Sequence, residues 1–481
     1  MTFTTLTFLL FLPVVFGLYW SKRSLRWRNA VVVSASYFFY GWWDPRYAVL
    51  MLVASLVDFS AGIALDAVDS PRLRRLILIG SCVCSLGLLG FFKYAGFFAE
   101  NARVLAGLAG LRLTEVELHV VLPVGISFYT FQTLSYVIDV YRRRSPATRN
   151  LLEYMAYVSF FPQLVAGPIE RAGHLLPQFQ SLRSFDRGQA VDGLRLMAWG
   201  FFKKMALADN LGVIADAGYG RVGAADGPTL ALATLCFAFQ IYCDFSAYSD
   251  IAAGTARLFG IQLMRNFALP YFSQSVAEFW RRWHISLSSW FSDYVYVPLG
   301  GSRVGTLKRA RNVMITFLLS GFWHGASWNF VVWGALNGLA VLPAVLWARS
   351  PRLGPEDTAG GEGALPSLRA LLRMLGTFAF ACLTWVFFRA RTLGDSAVVL
   401  SKVWAGPWTL SAVSAALSPS LWLLGLCGLL LASEWATRRQ WHPLGWPSLP
   451  RPLRWLGYSL LLWASLGLAR EQEGTFIYFQ F

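Results

Sequence analysis

Two histidines, His284 and His324, are the residues best suited to proton-transfer chemistry. His284 follows Arg281 and Arg282 in a short stretch rich in Trp, Ser and charge, which predicts a half-wet helix at a membrane interface. His324 lies in an apolar run that begins after three cations between residues 308 and 311. A helical rise of ~1.5 Å per residue places it roughly 20 Å beyond them. An ionisable group at that depth is costly and indicates a functional site.

A dense polar set interrupts the apolar segment 228–260. Two of its members, Asp244 and Asp250, are separated by about 240° on a helix, which predicts that only one of them, preferably Asp250, faces the histidines. The neighbouring polar side chains are Tyr242, Ser246, Tyr248 and Ser249. Hydrogen bonds between helices would explain such a set, and so would the lining of a polar cavity. The presence of two carboxylates favours the lining.

The composition is that of a membrane protein. Of the 481 residues, 56% are hydrophobic and 14% are charged, which is more apolar surface than a soluble fold can bury. The net charge of +16 does not indicate nucleic-acid binding, because the cations form short clusters between apolar runs, as the positive-inside rule explains. The six cysteines lie in apolar segments without zinc-type spacing, so we expect free thiols and no metal site.

Basic clusters give a topology. The first span, at about residues 3–20, lacks a basic n-region and a cleavage site, so it is not interpreted as a signal peptide. Cations follow it at 22–28, and others precede the last span at 438–454, so these loops are predicted to be cytoplasmic and both termini extracytoplasmic. Prolines and glycines break the apolar run at 151–168 and predict a re-entrant element.

The chain is interpreted as one all-α polytopic membrane domain, residues 1–481. We expect roughly ten to twelve transmembrane helices plus re-entrant and interfacial pieces. The catalytic core is predicted at about 120–345, and the C-terminal helices and tail at 367–481. The sequence shows no internal repeat, so it does not favour a transporter or flippase, the main alternative class for a protein with many spans.

Five stretches carry a resemblance to a known family. They are PVGISFYTFQTLSYVIDVYR at 123–142, FFPQLVAGPIER at 160–171, YCDFSAYSDIAAG at 242–254, FWRRWHISLSSW at 279–290 and SGFWHGASWNF at 320–330. In content and order they resemble the membrane-bound O-acyltransferase superfamily, and within it the bacterial alginate O-acetyltransferase-like branch. The resemblance implies helices around a central tunnel and an acyltransferase activity. It also implies that His324 is the catalytic histidine and His284 the second characteristic one.

The residue types suit transfer of an acyl group from a thioester to a hydroxyl. That reaction needs a base of near-neutral pKa, usually histidine, and N–H donors for the developing oxyanion. Trp323 and Asn329 lie near His324 in sequence and are candidate donors, and Trp328 is a third. No GxSxG motif is present in the sequence, so a nucleophile triad fits poorly. The three remaining histidines, His119, His174 and His442, are interpreted as ordinary interfacial residues.

The family resemblance implies acetyl-coenzyme A as the donor, arriving from the cytoplasm. Arg281, Arg282 and Arg303 are candidate contacts for its phosphates, because guanidinium groups bind phosphate in a bidentate manner. The same arginines could instead anchor the topology. Relatives that D-alanylate teichoic acid take their acyl group from a carrier protein, which leaves the donor open.

The C-terminal tail resembles a pattern of related acyltransfer systems, Phe-x-Tyr-x-x-Phe, through Phe476, Tyr478 and Phe481. In those systems the tyrosine resembles an acyl acceptor that carries the group to an extracytoplasmic partner. A phenol is chemically suited to that task, because its ester has a better leaving group than a sugar ester has. The alternative is an interfacial aromatic anchor.

The leading functional hypothesis is O-acetylation of an exported polysaccharide such as alginate, across the bacterial inner membrane. The implied partners are a periplasmic esterase-like (SGNH-type) acetyltransferase and the polysaccharide export machinery. Cellulose, peptidoglycan and teichoic acid are alternative acceptors. The sequence does not discriminate among these polymers, because the motifs carry the chemistry and not the choice of acceptor.

Overall fold

The structure is a computed structural model that describes residues 1–111, 121–346, 365–445, 449–470 and 476–477. Within these ranges every regular element is helical, which confirms the predicted all-α class.

The α-helices are α1 (Leu6–Trp20), α2 (Leu25–Gly41), α3 (Pro45–Ala67), α4 (Pro71–Leu108), α5 (Ile126–Tyr141), α6 (Leu151–Ser159), α7 (Phe161–Leu164), α8 (Ala172–Gln180), α9 (Arg187–Phe201), α10 (Asp209–Tyr219), α11 (Gly227–Leu258), α12 (Val276–Arg282), α13 (Ile285–Phe291), α14 (Thr306–His324), α15 (Trp328–Leu346), α16 (Leu368–Arg389), α17 (Leu393–Ala405), α18 (Leu410–Leu417), α19 (Leu421–Ala436) and α20 (Arg451–Gly467). Segments Phe202–Ala208 and Ser292–Tyr296 are π-helical, and Pro270–Phe272, Ser418–Ser420 and Pro443–Gly445 are 3₁₀ turns.

Within the described residues, six helical stretches are long and apolar enough to cross a membrane, and α1 is a shorter apolar helix. The six are Pro45–Ala67, Pro71–Leu108, Gly227–Leu258, Trp328–Leu346, Leu368–Arg389 and Leu410–Ala436. They confirm a multi-pass membrane protein. The larger number of ten to twelve crossings stays a prediction, because helices such as α5, with 16 residues, are shorter than a full span.

The chain folds as two compact units. The first contains residues 1–190 and 255–264, and the second contains residues 191–254 and 265–481. Both histidines singled out from the sequence lie in the second unit. The interpretation of the whole chain as one membrane domain stays a prediction.

The predicted break in the apolar run at 151–168 is present in the first unit. α6 ends before Phe160, and α7 begins again with Pro162 in its first turn. Gly125, at the start of α5, has a φ of 77° and lies against this segment. A Cβ atom there would stand 2.6 Å from the carbonyl oxygen of Leu164, so both the conformation and the close approach require glycine.

In the second unit, α14 and α15 cross at two glycines. A Cβ at Gly321 would lie 2.2 Å from the carbonyl oxygen of Phe330, and one at Gly334 would lie 2.5 Å from that of Phe317. Small residues allow two membrane helices to approach this closely, and the contact is then held by dispersion forces. The crossing fixes the C-terminal end of α14, where His324 is the last residue.

Candidate active site

The predicted interfacial helix around His284 is instead two short helices, α12 and α13, which meet at that residue. The His284 backbone is in the left-handed region, with φ 45° and ψ 54°. His284 has no exposed surface, and Trp283 and Ser286 beside it are buried. The half-wet interpretation was therefore wrong, because the break at His284 turns these side chains into the protein. A non-glycine residue in this conformation costs about 1–3 kcal/mol and is typical of functional sites.

Asn266 holds the His284 ring. Its Oδ1 lies 3.1 Å from Nδ1 of His284 and also accepts hydrogen bonds from the Ser286 backbone N–H, at 3.3 Å, and hydroxyl, at 3.0 Å. Its Nδ2 donates to the Ser249 hydroxyl at 3.1 Å. His284 lies outside the candidate spans, and burial lowers the pKa of its imidazole to about 3, because the charged form loses its solvation. His284 is therefore neutral.

The indole of Trp323 links the two histidines. Its ring centroid lies 6.1 Å from that of His284 and 5.0 Å from that of His324, with edge-on geometry in both pairs. His324 is also packed edge-on against Trp333, at 5.0 Å, and Phe388, at 5.2 Å. The structure thus places both predicted histidines and Trp323 in one buried aromatic cluster.

Asn329 connects two helices. Its Nδ2 donates to the carbonyl oxygen of Ala390 at 2.7 Å, which connects the start of α15 with the end of α16. Its Oδ1 is buried and is an acceptor only. The structure therefore directs the amide N–H of Asn329 to Ala390 and not to His324.

Asp244 contacts the C-terminal tail. Its Oδ2 accepts a hydrogen bond from the backbone N–H of Ile477 at 2.8 Å, and its Oδ1 lies 2.9 Å from Nζ of Lys204. Lys204 also pairs with Asp209 at 2.8 Å. All three of these side chains are largely buried, so a charge without a partner would be costly here. Asp244 therefore connects Lys204 to the backbone of the tail.

The tail reaches the histidine cluster through Phe476. Its ring lies 5.0 Å from Tyr248 and 5.9 Å from Phe245, and Phe245 lies 4.6 Å, edge-on, from the His284 ring. Phe476 is therefore one aromatic ring away from His284. Tyr478 lies outside the described residues.

Asp250 belongs to a different polar group from Asp244. It pairs with Nζ of Lys203 at 2.7 Å, and the same ammonium donates to the Ser246 hydroxyl at 2.7 Å. These three side chains line a cavity of about 20 Å³, together with Trp199, Tyr242, Arg265, Phe267, Leu269, Glu434, Thr437, Gln440, Trp441, His442 and Pro443. That volume holds about one water molecule. The lining includes neither Asp244 nor His284 nor His324. That Asp250 faces these two histidines stays a prediction.

A larger cavity, of about 240 Å³, follows the face of α14 that leads to His324. On α14 it is lined by Val313, Thr316, Phe317 and Ser320, and elsewhere by Ala277, Trp280, Arg281, Ser288, Phe291, Ser292, Tyr296, Val341 and Val345. Ser320 precedes His324 by about one helical turn, so the two residues share a face of α14. The Trp280 ring lies 5.3 Å from Trp333, which in turn contacts His324.

The three arginines predicted as donor contacts have different environments. Arg281 lines the larger cavity. Arg282 is buried and pairs with Glu278 one turn earlier on α12, at 2.9 Å. Arg303 is exposed. Of the three, Arg282 has the contacts of a structural residue, and Arg281 is the one placed at a cavity.

The other two histidines in the described part of the chain each pair with a carboxylate. His174 lies 2.7 Å from Glu170 in the first unit, and His442 lies 2.9 Å from Asp192 in the second. His442 is buried, and the interpretation of both histidines as ordinary interfacial residues stays a prediction. His119 lies outside the described residues. Among the described residues no group of three or more His, Cys, Asp or Glu side chains could hold a metal ion.

Several residues of the site were missed in the sequence. Asn266 precedes His284 in an irregular segment, where no periodic pattern marks a side chain as inward-facing. Trp333 was missed because it is one of 21 tryptophans in the sequence, and its position in an apolar segment does not distinguish it from the others. Lys203 and Lys204 did give a signal, because two lysines interrupt the apolar segment at 190–216, and intramembrane cations are expected to have acidic partners. They lie in the π-helical segment between α9 and α10, a feature common at functional sites.

Comparison with known proteins decides the family. A model of the membrane-bound O-acyltransferase family matches residues 141–353. A probable alginate O-acetylase of Pseudomonas putida is 39% identical over 420 residues, which cover 86% of this chain and 83% of that protein. The chain belongs to the membrane-bound O-acyltransferase family. The chain is therefore an O-acyltransferase, as the resemblance predicted.

Two further relatives show the range of the family. A peptidoglycan O-acetyltransferase of Helicobacter pylori is 34% identical over 395 residues, covering 77% of this chain and 72% of that protein. A teichoic acid D-alanyltransferase of Streptococcus thermophilus is 29% identical over 250 residues, covering 48% of this chain and 59% of that protein. The names of these relatives include three different acceptors, namely alginate, peptidoglycan and teichoic acid.

Proposed function

We propose that this protein takes an acetyl group from acetyl-coenzyme A at the cytoplasmic face of the bacterial inner membrane and passes it outward for O-acetylation of an exported polysaccharide such as alginate. The observation that carries the proposal is the single cluster in which Trp323 contacts both buried imidazoles, of His284 and His324. The sequence identity of 39% and 38% with two probable alginate O-acetylases supports acetyl as the acyl group and alginate as the polymer.

The chemistry assigned to the cluster is a direct acyl transfer. His324 accepts the proton of the acceptor hydroxyl as its oxygen attacks the thioester carbonyl. The oxyanion then collapses, the carbon–sulfur bond breaks, and the proton passes from His324 to the leaving thiolate. The products are an acetyl ester and free coenzyme A. An aromatic, water-poor surrounding strengthens each electrostatic contact in this sequence.

The cavity along α14 is the proposed path for the donor. It ends about one turn before His324, and its lining is mainly apolar, which suits the uncharged arm of a thioester. Arg281 is the cation that lines it and is the proposed contact for a phosphate of coenzyme A.

The variant Arg281→Ala is expected to raise KM for acetyl-coenzyme A by about tenfold, the effect of losing about 1.4 kcal/mol of charge-assisted binding. KM for acetyl-pantetheine, which carries no phosphate, should not change. The measurement compares the two KM values in purified protein. Equal effects on both donors would show that Arg281 does not contact phosphate. Arg282→Ala is a contrasting variant, because breaking its buried pair with Glu278 should reduce the folded yield instead.

We extend the proposal to the tail, with Tyr478 as an acetyl carrier that delivers the group to a separate periplasmic esterase-like transferase. Two contacts support this extension. The Ile477 N–H is bound by Asp244, and Phe476 is packed against Tyr248 and Phe245, next to His284. The tail is thus attached at the cluster by the two residues that precede Tyr478.

The experiment that tests the function uses the purified protein in lipid vesicles with labelled acetyl-coenzyme A. Beyond the single equivalent that acetylates Tyr478, the protein should release free coenzyme A only when an external acceptor is present, and the label should move to that acceptor. Oligomannuronate, peptidoglycan fragments and cello-oligosaccharides are supplied separately, each with and without the periplasmic partner. Uptake of label into the vesicles without release of coenzyme A would contradict the proposal and indicate a transporter. If the label appeared on peptidoglycan fragments alone, peptidoglycan would be the acceptor in place of alginate, and the proposed acyl-transfer reaction would stand.

A further inference from the structure

We propose that Asn266 is a positioning residue that holds His284 in one tautomer, with hydrogen on Nδ1, so that Nε2 accepts a hydrogen bond from the acceptor hydroxyl and orients it toward His324. The inference rests on the proposed function, and it adds a residue and a division of roles that neither the family motifs nor the relatives' names specify.

The orientation of the Asn266 amide follows from its partners. The Ser286 backbone N–H can only donate, so the Asn266 atom that it contacts at 3.3 Å must be the oxygen. The same oxygen lies 3.1 Å from Nδ1 of His284. An oxygen acceptor requires a donor, so Nδ1 carries the hydrogen and the lone pair of the neutral ring is on Nε2.

The contacts with two serine hydroxyls are compatible with this orientation. The NH₂ group of Asn266 donates to the Ser249 hydroxyl at 3.1 Å, and the Ser286 hydroxyl donates to Oδ1 at 3.0 Å. Asn266, Ser249 and Ser286 are all buried, so water does not compete for these contacts. A flipped amide would place its NH₂ group against the Ser286 backbone N–H, which is also a donor, and would lose that hydrogen bond.

The charges near His284 do not favour its protonated form. The groups packed directly on the ring are aromatic or neutral, namely Phe245, Phe267, Trp323 and Asn266. Among the charged side chains of the neighbouring elements, Asp244 pairs with Lys204, Asp250 with Lys203 and Arg282 with Glu278. Arg265, next to Asn266, donates from Nε to the carbonyl oxygen of Phe267 at 2.8 Å. His324 is the titratable group across the Trp323 ring. His284 is therefore a neutral acceptor, whereas His324 exchanges the proton.

The variant Asn266→Asp tests this role with almost no change in shape. Its carboxylate still accepts from Ser286, but it faces Nδ1–H with a negative charge, and a neighbouring opposite charge raises the pKa of an imidazole by about 1–3 units. Since the starting value is about 3, His284 should become protonated below roughly pH 4–6 and lose its Nε2 acceptor. We expect kcat to gain a new decline toward acid pH in this range and to recover at higher pH, with KM for the donor unchanged.

A second measurement does not depend on activity. The ¹⁵N signals of labelled histidine report which ring nitrogen carries hydrogen, and the His284 signals are assigned by their loss in His284→Gln. We expect protonated Nδ1 and bare Nε2 in the wild type, and a mixture of tautomers in Asn266→Leu. Hydrogen on Nε2 in the wild type, or an Asn266→Asp pH profile identical to that of the wild type, would overturn the proposal. An inactive wild type would contradict the proposed function and leave the ¹⁵N test intact.

A different observation supports a second inference: we infer that the indole N–H of Trp333 donates to the oxyanion. Trp333 is 1% exposed, and its Nε1 has no acceptor among the described residues. A buried N–H without an acceptor is costly, and such groups require an explanation. Its ring lies 5.0 Å, edge-on, from that of His324, so the indole packs against the assigned base. The developing negative charge on the thioester oxygen would satisfy it.

Trp333→Phe removes the N–H and keeps an aromatic ring, so kcat is expected to fall by about 10²–10³-fold, the usual cost of losing one oxyanion donor, with little change in KM. Trp385→Phe is the matched control. Trp385 is equally buried, and the ring contacts described for it are with Phe279, Trp283, Trp333 and Phe388. Equal losses of kcat in both variants would contradict the role of Trp333.

Discussion

The variant His324→Ala is expected to lose acetyl transfer, with kcat lower by about 10²–10⁴-fold, the contribution of a positioned acid–base group. The imidazole is buried among Trp323, Trp333 and Phe388 at the end of α14. A base from solution therefore cannot easily replace it. The measurement is acceptor-dependent release of free coenzyme A by protein in lipid vesicles.

His324→Phe is the control for packing, because a phenyl ring preserves the aromatic contacts and lacks the nitrogens. Both variants should be inactive, but only the alanine variant should unfold at a clearly lower temperature, since it leaves a cavity in the core. Activity within a few-fold of the wild type in either variant would exclude His324 as the base.

The local features of the fold were predictable because they depend on local chemistry. Asp44 and Pro45 end one helix and begin the next, with the Asp44 side chain as the N-cap of α3. Pro162 marks the break between α6 and α7 for the same kind of reason. The number of membrane crossings could not be predicted in the same way. Short apolar helices such as α5 cannot be assigned by composition either as membrane spans or as helices outside the membrane.

The site was predictable only in part. His324 was found from its depth in an apolar run, a property that the sequence records directly. The buried environment of His284 could not be predicted, because the residue types around it do not indicate a backbone break with positive φ. Asn266 is brought to His284 by the tertiary fold. The amide orientation that fixes the imidazole is therefore visible only in the structure.

The charged residues show a signal that was available but not used. Glu278 and Arg282 are four residues apart on a helix, which is the spacing of an ion pair. The sequence alone could therefore have assigned Arg282 a structural role. Lys203 and Lys204 could likewise have been matched to Asp250 and Asp244. The pairing itself depends on the π-helical segment, in which side chains follow a different angular spacing from that of an α-helix.

The second large effect is expected from Tyr478→Phe, which should reduce polysaccharide acetylation to background. The substitution keeps the aromatic ring and removes only the hydroxyl that would form the ester. In the wild type, labelled acetyl-coenzyme A should place an acetyl group on the C-terminal peptide, detected by mass spectrometry. The label should be absent in Tyr478→Phe and should disappear from the wild-type peptide when the periplasmic partner and polymer are added.

The attachment of the tail provides matched variants for this prediction. Asp244→Ala removes the acceptor for the Ile477 N–H and should reduce acetylation although the Tyr478 hydroxyl is present, whereas Asp244→Asn keeps an acceptor oxygen and should retain more activity. Loss in Asp244→Ala together with full activity in Tyr478→Phe would mean that the tail is needed for its position and not for its hydroxyl. The tail would then be an anchor, and the acetyl group would pass to the acceptor without a carrier. Loss in both variants, with the label confined to Tyr478, is the result that only a relay through the phenol explains.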